Sequence, residues 1–171
     1  ISILLFSFFE GNFIFDELIF AFIVVLLIFI FFNLGFIKKY KMFLGDAGST
    51  TIGFMLACIL IFYAHHDHRF FHPVLAIWCI TLPIFDFLAV IIRRIRLRIN
   101  PFKPDNRHIH HLLLSKNFSP TSTLIILVFF SFLSNMLGGA IFYIFGSLMC
   151  LISYILYFFV FFVFCEYFLV K

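Results

Sequence analysis

Charge is scarce in this chain of 171 residues: Lys, Arg, Asp and Glu together make up only 12% of it, against ~25% in a soluble domain. Cysteine is equally sparse. The four that exist, Cys58, Cys79, Cys150 and Cys165, sit far apart inside apolar runs with no CxxC spacing, which excludes a disulfide framework or a zinc ribbon and leaves small buried hydrophobes. No repeat and no low-complexity linker divides the chain, and no signal-peptide pattern is expected in it. What is abundant is grease: 64% of the residues are hydrophobic and 31 are phenylalanine. No water-soluble packing hides that much apolar surface, so the solvent is lipid. The fold class that follows is all-α, a polytopic transmembrane helical bundle in contact with membrane lipids.

The formal net charge of +4 would suggest nucleic acid in a soluble protein, but the positions exclude it. The cations cluster in KKYK (Lys38, Lys39, Lys41), in RRIRLR (Arg93, Arg94, Arg96, Arg98) and at Lys103, Arg107 and Lys116, the pattern of cytoplasmic loops under the positive-inside rule. With about 20 apolar residues needed per crossing, a single transmembrane domain over 1–171 is expected. It has about five full spans and a partial first one, at roughly 1–9, 18–37, 50–64, 73–92, 121–140 and 145–168, the last two separated by a tight stretch near Gly138-Gly139 in a loop over Gly138–Gly146. Loops 38–49 and 93–120 then face the cytoplasm, and of the twelve Lys and Arg only Arg69 falls on the opposite side. The chain opens without methionine inside the apolar ISILLFSFF and is read as a fragment with its N-terminal part missing.

Two cytoplasmic stretches carry chemistry. In MFLGDAGSTTIGF (Met42 to Phe54), Gly45 and Gly48 allow a tight turn and close approach to a ligand. Ser49 or Thr50 can cap the helix that starts there, whose positive end suits a phosphate. Asp46, the one carboxylate of the loop, is a hard oxygen donor of the kind Mg2+ takes beside substrate phosphates. A capped membrane helix with an incidental Asp is the bland alternative. In PFKPDNRHIHHLLL (Pro101 to Leu114), two prolines forbid a regular helix, and His108, His110 and His111 stand beside Asp105 and Arg107. Histidine moves protons near neutral pH or binds phosphate when charged, although an interfacial anchor would look similar. The alternation from Arg94 to Ile99 suits an interfacial segment with arginines toward headgroups or an anionic substrate. Asp86, about two turns from the cytoplasmic end of its span, is costly in lipid and suggests a functional site, with Arg93, Arg94 or a group upstream of Ile1 as its partner; a purely structural hydrogen-bonded role explains it as well. The opposite-face loop HHDHRFFH (His65 to His72) has metal-binding composition, and a solvated loop explains it as well.

MFLGDAGST, then PIFDFLAVIIRR, then PFKPDNRHIHHLL, in that order over roughly Asn33 to Ser119, resemble the polyprenyl-phosphate N-acetylhexosamine-1-phosphate transferases, with the WecA-like N-acetylglucosamine branch closer than the muramoyl-pentapeptide branch. The resemblance implies transfer of a sugar 1-phosphate from a UDP-N-acetylhexosamine to undecaprenyl phosphate with release of UMP. It would take place at the cytoplasmic face of the bacterial inner membrane, as the first membrane step of envelope polysaccharide synthesis. It implies Mg2+, or Mn2+ in its place, held by Asp46. It implies phosphate handling by His108, His110 and His111, and substrate binding by Gly45, Gly48, Ser49, Asp86, Arg93, Arg94 and Arg107. Two departures stand out. The usual P-D-R-x-H-I-H-H carries Asn106 in the arginine place here, with Arg107 following, and the family's paired aspartates have no counterpart after Ile1. The resemblance thus implies the C-terminal part of a larger membrane enzyme, and the isolated chain is expected to be inactive. A homo-oligomer stays open. A histidine-rich metal or proton transporter is the alternative class, weakened because Asp86 and Glu166 alone are ionisable inside the spans.

Overall fold

The computed structural model describes residues 17–33, 43–64, 72–100 and 108–170. Among them all regular structure is helical and no strand forms. They fall into two compact units that meet in sequence at Pro73 and Val74.

The first unit holds α1 (Glu17–Asn33) and α2 (Gly45–Ala64). Between its polar ends α1 is apolar on every side, as a helix solvated by lipid must be. α2 starts at Gly45, five residues before the expected Thr50, because Gly45 turns the chain at φ 63, a left-handed value that glycine adopts without strain. Ile59, Leu60 and Tyr63 are its buried residues.

The second unit begins with α3 (Pro73–Cys79) and α4 (Thr81–Arg96), which are bent from one another by 71°. The cause is Pro83, which lacks the N–H that would bond the carbonyl of Cys79 and whose ring crowds it. Thr81 completes the break by donating its hydroxyl to Trp78 O at 2.8 Å. α5 (Ile109–Ser115) is a short helix of the basic loop, and α6 (Pro120–Phe164) runs into a π-helical turn, Cys165–Val170. Ser119 caps α6 by accepting from the N–H of Ser122 at 3.1 Å, with Pro120 at the first helical position, where its missing N–H costs nothing.

α6 is a hairpin. Gly146 has φ 78 and ψ -175, and the chain reverses there. In an unbroken helix, positions 23 apart would lie roughly 35 Å apart, yet Ser134 Oγ and Tyr157 OH are 3.0 Å apart. Phe130 meets Phe161, and Cys150 reaches the carbonyl of Gly138 at 3.5 Å. All three pairings match two antiparallel arms. The turn between the last two arms thus falls at Gly146, the far end of the loop expected over Gly138–Gly146, whereas the Gly138-Gly139 stretch at its near end is helical and buried. Glycine at 138 serves packing instead: a Cβ there would collide with the indole of Trp78.

That indole is the centre of the core. Trp78 is fully buried, edge-on to Tyr154 and stacked on Tyr157. Phe85, also fully buried, meets Tyr154, Tyr157, Phe158 and Phe161 at centroid distances of 5.0, 5.5, 5.2 and 5.4 Å. Ring pairs of this kind add to simple apolar contact, which matters in lipid, where helices associate through packing more than through hydrophobic transfer. By length and composition α2 and α6 can cross a membrane, and α3 with α4 makes a third crossing if the bend lies within one. Span 1–9 and most of the His65 to His72 loop lie outside the described residues.

Candidate functional site

In the first unit, Asp46 lies in the first turn of α2 and is exposed, where a carboxylate is favoured by the helix dipole. Ser49 and Thr50 are not its caps. Because the helix begins at Gly45, both hydroxyls fall inside it and bond back to the carbonyl of Asp46, at 3.0 and 2.8 Å. The carboxylate itself is left to solvent. A Cβ at Gly48 would meet only the flexible side chain of Leu44, so that glycine is a weaker steric requirement than Gly45. Among the described residues no three His, Cys, Asp or Glu side chains are placed to hold a metal ion between them. One exposed carboxylate at a helix start still fits Mg2+, which is commonly held by one or two carboxylates together with water and substrate phosphate.

In the second unit, α4 ends within the stretch from Arg94 to Ile99 that was expected to be interfacial. The helix continues through Arg96 and stops in a Schellman motif, with Ile99 N–H on Arg94 O at 3.0 Å and Arg98 N–H on Ile95 O at 3.1 Å. Arg98 holds the left-handed position at φ 56, usually glycine's. A period of two over six residues loses here to helix propagation and to the dipole, which favours cations in the last turn. Arg93 and Arg94 consequently point inward and are 4% exposed, rather than facing headgroups. Arg93 Nε donates to Glu166 Oε1 of the π-helical turn at 2.7 Å, Arg94 reaches Asn100 O at 3.4 Å, and Arg96 lies 4.8 Å over the ring of Phe162.

Asp86 takes a different partner from the arginines expected for it. Its Oδ2 lies 2.9 Å from His108 Nδ1, and its Oδ1 accepts the N–H of Ile109 at 2.8 Å. The first turn of α5 has no side-chain cap of its own, so a carboxylate from another helix satisfies one of its orphan donors. His108, His110 and His111 then come together, with ring centroids 5.9 Å apart for the first pair and 4.1 Å for the second. α5 closes in a second Schellman motif, Phe118 N–H on Leu113 O and Asn117 N–H on Leu114 O, with Asn117 at φ 65. Against this helix lies an apolar groove of about 410 Å³, lined in part by Ile109, Leu113, Phe118, Phe130 and Phe161, with Lys116 as the charged group in its wall. Arg107 lies outside the described residues.

Although His110 is exposed, loss of hydration against its neighbours holds its pKa below the usual histidine value. His111 and His108 push it the same way, and Asp86 opposes them. The unfolded chain therefore binds a proton at His110 more readily than the folded one does. The cost to folding is absent above the ordinary value of ~6.5 and grows as the pH falls below it. We expect the protection of α5 amides, after correction for the intrinsic pH dependence of exchange, to fall as the pH drops below about 6.5, and His110→Gln to flatten that dependence. An unchanged slope in the variant would transfer the effect to another group.

Sequence reasoning missed the partners more than the players. Glu166 carries no motif, and its role shows only once the last arm of α6 lies beside α4. His108 and Asp86 are 22 positions apart, beyond any local periodicity.

No family model matches the chain, and no solved structure matches it. Curated relatives do. Over 143 residues it is 37% identical to the undecaprenyl-phosphate alpha-N-acetylglucosaminyl 1-phosphate transferase of Haemophilus influenzae, covering 81% of this chain and 40% of that protein. The proteins of the same name from Yersinia pestis and Escherichia coli K12 are 38% identical over 120 residues and 39% over 109. These matches cover 70% and 63% of this chain, and 33% and 30% of those proteins. The chain thus spans well under half the length of the curated relatives it matches.

Proposed function

From the premise that this chain belongs with the WecA-like undecaprenyl-phosphate N-acetylglucosaminyl 1-phosphate transferases, we propose that the whole protein moves N-acetylglucosamine 1-phosphate from a UDP-sugar to undecaprenyl phosphate. UMP is the leaving group, and the reaction runs at the cytoplasmic face of a bacterial inner membrane. The observation that carries this reading is the histidine cluster built on Asp86, assembled in a chain of apolar helices. Attack by a lipid phosphate on a sugar diphosphate concentrates negative charge, and that charge needs cationic or hydrogen-bonding groups where the headgroup lies.

In this reading the histidines contact the diphosphate, and Asp46 holds Mg2+, whose contribution when bound is to neutralise phosphate charge. Lys116 with the groove against α5 supports a place for an anionic lipid and its chain. The buried guanidinium of Arg93, engaged by Glu166, acts in holding α4 to the last arm, and Gly45 gives Asp46 its position. Membranes containing the full-length protein, incubated with labelled UDP-N-acetylglucosamine, Mg2+ and undecaprenyl phosphate, are expected to release UMP and yield lipid-linked sugar. No product, alongside an active control enzyme, would refute the assignment.

A further inference from the structure

Both oxygens of Asp86 are committed to the histidine loop, one to the Ile109 N–H and one to the His108 ring. We infer that Asp86 is a positioning residue that fixes the tautomer of His108 and so decides which ring nitrogen faces the chemistry. A carboxylate only accepts hydrogen bonds. The neutral imidazole must therefore place its proton on Nδ1 to satisfy Oδ2, which leaves Nε2 as the nitrogen with the lone pair. Oδ1 meanwhile anchors the start of α5, so one group on a rigid helix sets both the ring's plane and the backbone beneath it. Asp86 thereby leaves the set of residues expected to touch substrate. Its carboxylate is only 18% exposed, consistent with a group facing the loop.

The inference rests on the transferase reading for its catalytic consequence, but not for its geometry. Asparagine separates the two. It offers one acceptor and one donor where aspartate offers two acceptors. With its oxygen kept on the Ile109 N–H, Asp86→Asn turns an NH₂ toward Nδ1 and forces the proton onto Nε2. We would label the full-length protein with ¹⁵N-histidine and record long-range ¹H–¹⁵N correlations near pH 8, where the free imidazole is neutral. The His108 signal is identified by its loss in His108→Gln. The expected result is an Nδ1–H tautomer in the unaltered protein and an Nε2–H tautomer in Asp86→Asn. An Nε2–H tautomer in the unaltered protein overturns the inference, as does an unchanged tautomer in a folded Asp86→Asn. If that variant does not fold, the unaltered spectrum decides alone. On activity, Asp86→Asn should lower kcat at least ~100-fold with little change in KM for the nucleotide sugar, and Asp86→Glu should recover part of it. A transferase assay that fails in the unaltered protein sinks the functional reading and leaves the tautomer measurement standing.

Discussion

Asp46→Asn is expected to lower turnover of the full-length protein by at least ~100-fold while leaving its thermal stability nearly unchanged. The split follows from where the residue sits. The bonds that order the start of α2 come from Ser49 and Thr50 to the main-chain carbonyl of Asp46, and asparagine keeps that carbonyl. The carboxylate is exposed, so its removal sacrifices about 0.3–1 kcal/mol of helix-dipole attraction and opens no cavity. A phosphate transfer that relies on a divalent cation loses far more. Asparagine is a neutral donor that binds Mg2+ poorly, and the diphosphate then keeps its charge. Raising the Mg2+ concentration should restore part of the rate. Wild-type turnover in the variant would remove Asp46 from the metal site; loss of stability equal to the loss of activity would make it a structural residue.

Trp78→Ala should have the largest effect on stability, roughly 3 kcal/mol, at the lower end of the range for aromatic truncations in water. The reference state explains the lower end. In lipid the unfolded segment leaves the indole in apolar surroundings, so the transfer contribution shrinks and the lost contacts and void remain. Those contacts are numerous, because Trp78 fills the space that Gly138 leaves open and bears on Tyr154 and Tyr157. Gly138→Ala attacks the same joint by overfilling it, at a cost of about 1–3 kcal/mol. Since both changes act on one contact, the double variant should be less damaging than the sum of the two. Unfolding midpoints in a detergent titration measure all three. Additive losses would show that the indole and the glycine do not act as one joint.

The helical class is legible from composition alone, since thirty-one phenylalanines and so few charges leave no other solvent than lipid. Helix ends are less so. The span reads as ending near residue 92, with an interfacial segment after it, but the helix propagating from Thr81 continues through Arg96 until Leu97 and Arg98 cap it. The Gly138-Gly139 pair reads as a turn because glycine is permissive, yet the same lack of a side chain suits the close approach of an indole, and only the three-dimensional neighbour distinguishes the two uses. The players of the candidate site, Asp86, His108, His110 and His111, stand out in sequence because ionisable groups near lipid are costly. Their pairing does not, because Asp86 meets His108 only after the chain has left the helix and returned. The phenylalanine excess is likewise more than bias: Phe85 holds the middle of the ring cluster.

The hairpin of α6 has a bearing on how the chain enters a membrane at all. From Pro120 to Phe164 there is no Lys, Arg, Asp or Glu, and the reversal at Gly146 sits in the middle of that neutral stretch. The tip can therefore be threaded through the bilayer without dragging a charge across, an expense of roughly 2.5–3.5 kcal/mol for a single Arg or Lys by insertion measurements. Because the arms run antiparallel, Lys116 before them and Glu166 after them lie at the end of the hairpin opposite its tip. A hairpin of this kind can enter a bilayer as one unit, tip first, with its flanking charges left behind.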